Sequence, residues 1–566
     1  MNEGDGQSDK PALDGEVWDY VIVGSGFGGA ISAMRLAQKG YRVAVIEAGR
    51  RWRDQDFPKT NWDSKNYNWL PRLGWTGPMR LTLLRHVVAA GWAGVGGGSL
   101  MYGNTLFLPQ DSFFDDPEIR KLGSRPEIEA YFDLASRMLG VTPNPRLYQP
   151  DQWIKETVQE YGRGHTFTPS PVAINFSEGN TDPYFGGDGP NRGACNFCGG
   201  CFLGCRENAK NTLEKNYLYF AEKLGAVIYP ETEVCDLIPM SSHPEDGFCI
   251  VTRCSTNVRE QWFGGRKTRV RAKNIVISAG VMGTLKLLLK VKRDRLPQIS
   301  DQLGYHVMTN SEALVGVRVD DKSADLSRGV AASSSVFPDE HTQIQVDRYP
   351  DGANAQALWL TMMVDGGGRM PRFIRWVWNV AKHPVRFVRV HSPSRWARQT
   401  MILVVMQNLK SSLRVVLKGN CLGSKRDNGP IAPGFIPIAN DFARRLAARS
   451  KGEPLTFFTE AWMNIPVTAH ILGGCKMGDS VQDSVLDVKN RLHGFPNIIV
   501  CDGSVITTNL GVNPALSIAA LTERAMSFIP PKTGATPRHF QFEHDWPEAR
   551  VLFSAGLNNE GGVGHV

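Results

Sequence analysis

Glycines spaced Gly24-x-Gly26-x-x-Gly29 are the first residues in this chain whose type and spacing could serve chemistry. They follow the apolar run Asp19-Tyr-Val-Ile-Val23 and open a stretch, Ala30 to Lys39, with apolar residues at helical spacing. Glu47 stands 18 residues after Gly29, at the end of a second apolar run, Val43-Ala-Val-Ile46. This order of strand, glycine turn, helix, strand and acid is a dinucleotide fingerprint. Gly24 permits the tight turn, and Gly26, with Phe27 and Gly28 opening the helix, lets backbone approach a pyrophosphate. Gly29 lets helix and strand pack closely. The pyrophosphate is expected on the helix N-terminus and Glu47 against the adenosine ribose. An acid at 47 disfavours a 2′-phosphate, so the ligand is FAD or NAD and not NADP.

A second glycine run, Gly94-Val-Gly96-Gly97-Gly98-Ser99, precedes Tyr102, Gly103 and Asn104. Consecutive glycines remove side chains where backbone must touch a flat or anionic ligand, and this run lies too far along the chain to share the first turn. A second contact of this kind suits a long cofactor such as FAD; a flexible loop is the plainer reading. Near the C-terminus, His470 sits in Thr468-Ala-His-Ile-Leu-Gly-Gly-Cys475, and Asn513 in Gly511-Val-Asn-Pro514-Ala515 at the start of a final helix, with Asp502-Gly503-Ser504 between them. A lone histidine in an apolar segment is commonly a satisfied core residue. Here an amide and a helix N-terminus aimed at the same place would stabilise negative charge on a reduced flavin. Alcohol oxidation needs one acceptor for the hydroxyl proton and one donor to hold the oxygen while hydride leaves for flavin N5, and His470 with Asn513 meets both needs.

The fourth group is Cys195-x-x-Cys198-x-x-Cys201-x-x-x-Cys205, the spacing of a bacterial ferredoxin run with Arg206 in place of the trailing proline. Thiolates at this density repel one another unless a cation neutralises them. An iron-sulfur cluster, a zinc ion, and a structural or disulfide role all remain open. A fifth stretch, Arg372-Phe-Ile-Arg-Trp-Val-Trp378 and on to Val390, interleaves basic and aromatic residues. As a helix it could lie on an anionic membrane surface and take up a lipophilic alcohol; a solvated helix face or a substrate lid fits it as well.

These groups need a large scaffold, and 566 residues, 42% apolar and 21% charged, supply one. Such a composition excludes a disordered or fibrous chain. Sixty-four Lys and Arg against 56 Asp and Glu leave a net +8, and no basic block tracks a phosphate backbone, so nucleic acid is not an expected partner. No apolar run reaches the roughly 18 residues of a membrane span. The polar, acidic stretch from Met1 to Glu16 lacks the features of a secretory signal, which places the chain in the cytoplasm by default, with peripheral membrane contact as an option.

Taken together, the strand-glycine-helix unit with Glu47, the Gly96-Gly-Gly-Ser99 run, Ser278-Ala279-Gly280 leading to Gly283-Thr284, and the His470, Gly473-Gly474, Asp502-Gly503, Asn513-Pro514 block resemble the glucose-methanol-choline (GMC) oxidoreductases. Within that family the chain most resembles the cholesterol oxidase branch, including an Ala-Lys-Asn-Thr-Leu stretch at 209–213. The resemblance implies an α/β fold: an FAD-binding Rossmann-like domain, discontinuous over 17–120, 206–310 and 465–530, with an interleaved α+β substrate-binding domain over 121–205 and 311–464. The latter carries the Cys-rich loop 195–205, a flexible leader occupies 1–16, and a tail occupies 531–566. It further implies noncovalent FAD, with Val234 at a backbone contact to the adenine, Ala279, Gly280, Asp502 and Gly503 along the cofactor, and Tyr102 or Asn104 at the flavin ring. His470 and Asn513 match the active-site pair. The branch also uses a substrate-domain glutamate to move a steroid double bond, and Glu460 is the nearest candidate for it.

The expected activity is therefore oxidation of a secondary alcohol, foremost a 3β-hydroxysteroid, with O2 or an unidentified carrier as electron acceptor. A dehydrogenase of another bulky alcohol or polyol is one alternative. A flavin and iron-sulfur electron carrier for a protein partner is another, and an NAD-binding module a third. An electron carrier would tolerate loss of His470, and an NAD module would not be yellow.

Overall fold

The computed structural model describes residues 11–15, 17–241 and 243–545. Of the expected leader, residues 1–10 and 16 lie outside the described residues, as do residues 546–566 of the expected tail.

The apolar runs at 19–23 and 43–46 are buried on both faces, and such runs form interior parallel strands. They lie in an eight-stranded sheet, in the order Val227–Tyr229, Val43–Ile46, Val17–Val23, Lys267–Ile277, Phe248–Cys254 and Thr232–Pro239. Phe495–Val500 joins it in parallel on the far end of Lys267–Ile277, and Arg491–Leu492 pairs with Phe495–Val500. The parallel strands Val17–Val23, Val43–Ile46 and Val227–Tyr229 run side by side in register, so their C-terminal ends form one edge. The helices Phe27–Gln38 and Gly280–Asp294 start from that edge, as the Rossmann arrangement requires.

A second sheet of seven antiparallel strands has the order Leu360–Met362, Gly452–Phe457, Ala313–Val319, Thr400–Gln407, Thr342–Asp347, Ala332–Val336 and Thr168–Pro169. Side chains alternate across it with the period of two that a pleated strand imposes. Val315, Val317, Ile344, Val346, Met401, Leu403 and Val405 face one way, into a core closed by the helices Gln149–Gln159 and Pro437–Ser450. Leu314, Gln345, Asp347, Ile402 and Val404 face the other way, into a cavity shared with the first sheet.

Two parts of the chain sit differently from expectation. The segment 121–205 divides: Thr168–Pro169 extends the second sheet, but the helix Arg125–Leu139 buries Ile128, Phe132, Ala135, Met138 and Leu139 in the first core. The described part of the expected tail, 531–545, is docked and not an appendage. Its Lys532 and Arg538 amides donate to Lys39 and Gln38, Glu543 pairs with Arg35 at 2.6 Å, and Phe542 is buried against Phe185 and Phe220. The aromatic anchor offsets the entropy of ordering that strand of chain.

Candidate active site

A cavity of 1310 Å³ lies between the two sheets and runs from the first glycine turn to the inward face of the second sheet. The four glycines of this turn differ in what they do. A methyl group placed on Gly26 would meet no atom within 4 Å, so that edge is open to the cavity. On Gly28 it would lie 1.5 Å from the Cys501 carbonyl oxygen, and on Gly29 1.9 Å from that of Gly24. Gly28 and Gly29 therefore serve helix-strand packing, and Gly26 leaves backbone bare at a helix N-terminus, the cradle that a pyrophosphate fits. Gly24, at φ +96°, makes the turn. The second glycine run touches the first: a methyl on Gly97 would come within 2.6 Å of the Gly26 Cα.

Glu47 binds these two loops together. One carboxylate oxygen accepts from the Ser25 amide at 3.0 Å and its hydroxyl at 2.8 Å, the other from the Gly49 amide at 2.8 Å and the Gly94 amide at 3.1 Å. Those four donors occupy the acceptor positions of a carboxylate, so the residue expected at the ribose also braces the turn. Burial raises its pKa against the lowering effect of those donors. Ser99 is a brace of the same kind, donating to the Gly96 carbonyl at 2.7 Å and accepting from the Leu213 amide at 3.0 Å.

Of the other residues expected along a cofactor, Phe27, Gly97, Tyr102, Val234, Ala279, Gly280, Asp502, Gly503, Asn513 and Pro514 line the cavity together with Gly24, Gly26, Gly28 and Glu47. Gly29, Gly96, Ser99 and Asn104 do not. Asn104 is buried at φ +66°, and its neighbours Gly103 and Thr105 line the cavity where it does not. Asp502 accepts from the Thr284 hydroxyl at 2.5 Å and the Ser504 amide at 2.9 Å, which ties the two helix starts near Gly280 and Gly503 to each other.

His470 follows the strand Val467–Thr468, and the helix Ala515–Ser527 begins just after Asn513. The Asn513 amide nitrogen lies 3.3 Å from His470 Nε2. On the other side of the ring, a Glu312 carboxylate oxygen stands 3.0 Å from Nδ1, an ion-pair approach set off the line of an ideal hydrogen bond. The same oxygen accepts from the Thr468 hydroxyl at 2.7 Å and the Ala469 amide at 2.9 Å. Glu312 lines the cavity and is a residue that sequence reasoning missed: one acid opening a strand has no spacing relation to a histidine far along the chain. Asp347 was missed as well. Its carboxyl is held well above the usual range by burial and by the Glu312 charge, while the Gln345 amide donates to it at 3.1 Å. Here a signal existed, since Gln343, Gln345 and Asp347 alternate with Ile344 and Val346.

Two expectations are corrected. Glu460 does not line the cavity; its carboxylate turns into the second sheet, where it accepts from the Leu314 amide and the Thr456 hydroxyl, both at 3.1 Å. The metal centre expected of the four-cysteine run finds no support either. Among the described residues no group of three or more His, Cys, Asp or Glu side chains is placed to hold a metal ion, and all ten cysteines are free thiols. Cys195, Cys201 and Cys205 pack instead against the apolar cluster of Val172, Ile174, Ala209 and Val330. Burial pushes the Cys201 thiol up to about 11, which keeps it protonated. Beside it stands Lys210, whose pKa burial lowers to about 7 and whose Nζ donates to the carbonyls of Leu100 at 3.0 Å, Tyr102 at 2.8 Å and Cys201 at 3.1 Å. The run thus folds as an apolar plug behind Tyr102.

A bare phosphate cradle at one end of a cavity and a bracketed imidazole at the other define a nucleotide-dependent oxidoreductase. The NAD(P)-binding Rossmann-like domain family matches residues 22–53, and the GMC oxidoreductase family matches residues 389–522. Two curated relatives, each named cholesterol oxidase, are 42% identical: one from Acinetobacter baumannii over 91% of this chain and 95% of its own, one from Mycobacterium tuberculosis over 92% of each. The crystal structure of pyridoxine 4-oxidase from Mesorbium loti shares the fold, at a TM-score of 0.57 and 14% identity over 90% of this chain and 99% of that one. The chain belongs to the GMC oxidoreductases, in their cholesterol oxidase-like branch, and is an FAD-dependent alcohol oxidoreductase.

Proposed function

We propose that the protein oxidises a bulky lipophilic secondary alcohol, foremost a 3β-hydroxysteroid, with His470 and Asn513 as its catalytic pair. The observation that carries this reading is the imidazole held between Glu312 and Asn513 in one cavity with the Gly26 cradle. The names of the two relatives at 42% identity support the steroid and O2 as electron acceptor.

FAD suits the residues present: Gly26 leaves room for a pyrophosphate, and the cavity of 1310 Å³ continues from it past Val234 and Asp502 to His470. Gly24, Phe27, Gly28, Glu47, Gly97, Tyr102, Val234, Ala279, Gly280, Asp502, Gly503 and Pro514 are the residues that would hold it, with Gly29, Gly96 and Ser99 supporting them from behind. When bound, FAD supplies the acceptor for the carbinol hydride.

The rest belongs to this chain. A carboxylate at Nδ1 favours the tautomer with its proton on that nitrogen, leaving Nε2 with a free lone pair. Nε2 then accepts the hydroxyl proton as hydride leaves, and Glu312 stabilises the imidazolium that forms. The Asn513 amide donates to the substrate oxygen and holds the carbinol carbon in line. Leu314, Ile402, Val404 and Phe457 offer an apolar wall to the body of the substrate and exclude water. Ten free thiols support a reducing, cytoplasmic location, and a substrate that partitions into lipid suits peripheral contact with a lipid surface.

The test is an absorbance spectrum of the purified protein taken under nitrogen, before and after a 3β-hydroxysteroid is added. Flavin bands that bleach on addition support the reading. Flavin bands that persist with a steroid but bleach with a polyol would replace the substrate class.

A further inference from the structure

One strand of the second sheet turns polar side chains toward the cavity where its neighbours turn apolar ones. Gln345 and Asp347 stand two residues apart on Thr342–Asp347, and the pleat puts both on the cavity side. On the adjoining strand Val404 lies directly opposite Gln345 and Ile402 opposite Asp347, and both line the cavity, as does Leu314 one strand further on. Two polar groups on an otherwise apolar wall cost desolvation unless their hydrogen-bonding capacity is met.

Theirs is met only in part. Gln345 and Asp347 are 2 and 5% exposed, and the bond between them runs from Gln345 Nε2 to Asp347 Oδ1 at 3.1 Å. Gln345 Oε1 is buried and has no hydrogen-bond partner. Burial and the Glu312 charge hold the Asp347 carboxyl well above its ordinary range, so it carries a proton. With Oδ1 accepting from the amide, that proton sits on Oδ2. The pair therefore presents one donor, the Asp347 hydroxyl, beside one acceptor, Gln345 Oε1. Turning the amide over exchanges the two roles and keeps the count. Tyr349, the next polar residue along the cavity wall, adds nothing to the demand, because its hydroxyl is engaged by Tyr67 and Gln356. Glu312, close enough to act on Asp347, also stands 3.0 Å from His470 Nδ1, so the pair and the imidazole share one part of the cavity.

A hydroxyl group accepts and donates at a single atom, and so answers both members of the pair at once. We propose that Gln345 and Asp347 form a subsite for a second hydroxyl group, so that the alcohol this protein oxidises is a lipophilic diol, its carbinol on His470 and Asn513 and its other hydroxyl on this pair. The inference rests on the proposed function for the carbinol end. A mono-alcohol of the same skeleton leaves both buried groups unanswered, which a site built to bond a hydroxyl penalises more heavily than an apolar pocket penalises a missing methylene.

The experiment uses the flavin-loaded protein under nitrogen and compares a 3β-hydroxysteroid with dihydroxysteroids that carry the added hydroxyl at successive positions of the same and adjoining rings. The rate of flavin bleaching at low steroid concentration is the readout. The best diol of the panel should exceed the mono-alcohol by at least about tenfold in wild type. That ratio should fall to near one in Gln345→Leu and in Asp347→Leu, whereas Asp347→Asn, which keeps a donor at the same place, should retain part of it. A role in folding alone would not give this partial recovery. A wild type without preference for any diol, or variants that slow the mono-alcohol and the diol alike, overturn the proposal, and the wild-type comparison decides it even where a leucine variant fails to fold. Thermal stabilisation by each steroid needs no turnover and separates the two readings. If no steroid bleaches the flavin, the enzymatic reading falls; a diol that then stabilises the protein no more than the mono-alcohol removes the subsite as well.

Discussion

Glu312 and Asn513 bracket the His470 imidazole, the carboxylate 3.0 Å from Nδ1 and the amide nitrogen 3.3 Å from Nε2. Glu312 is itself held by the Thr468 hydroxyl and the Ala469 amide, so the acid and the strand end that carries the histidine move as one piece. The ring is thus held at both nitrogens where it lines the cavity.

Replacing Glu312 with Gln should keep the shape and remove the charge. We expect kcat to fall by about 10² with KM for the alcohol changed little, because the interaction strengthens only as the imidazolium forms. Steady-state kinetics read this directly. A fall confined to KM would mean that Glu312 binds substrate and does not act through His470.

His470→Ala should lower kcat by roughly 10² to 10⁴ and leave bound flavin in place, since the phosphate cradle is built elsewhere. Absorbance at the flavin bands, read beside turnover, checks both halves. An alanine variant that turns over normally would remove the histidine from the reaction.

Gly26→Ala and Gly28→Ala should separate cofactor binding from folding. The first adds a methyl into open space and should fold with weakened FAD retention; the second forces a methyl to within 1.5 Å of the Cys501 carbonyl and should not fold. Circular dichroism and flavin content distinguish them. Two variants that behave alike would contradict the assignment of Gly26 to the ligand.

Glu460 predicts a pH-dependent stability. Burial raises its carboxyl from 4.5 to about 7. A folded value above the unfolded one means that this contribution is complete below about pH 4.5 and is lost as pH rises through about 7, by at most roughly 3 kcal/mol. Glu460→Gln can still accept from the Leu314 amide, so its melting temperature should gain on wild type between pH 5 and pH 8. A gap that stays constant across that range would show that Glu460 does not titrate there.

Lys210→Met should destabilise the fold by roughly 2 to 4 kcal/mol, because three buried carbonyls lose their donor. Two of those carbonyls, of Leu100 and Tyr102, belong to the loop after the second glycine run, so FAD release should quicken as well. Thermal melting and flavin release rates measure the two effects.

The dinucleotide turn could be read from the chain alone because its parts are neighbours: glycines, strand and helix lie within one local unit whose backbone conformations dictate residue type. The pairing of His470 with Asn513 was legible for a related reason, since each sits beside glycine or proline punctuation. The sequence was silent on Glu312, because a carboxylate opening a strand acquires a role only when the fold brings the start of Ala313–Val319 against Thr468 and Ala469. The cysteine run was misleading for the opposite reason: ferredoxin-like spacing is local, whereas the packing that turns those thiols against Val172, Ile174 and Val330 is not. Local rules thus determined the glycine turn at a helix N-terminus and the placing of His470 beside Asn513. Long-range packing alone decided which acid stands beside that imidazole, that three of the clustered cysteines pack against an apolar cluster, and that an apolar helix face is left toward the outside, because each depends on surfaces from segments far apart in the chain.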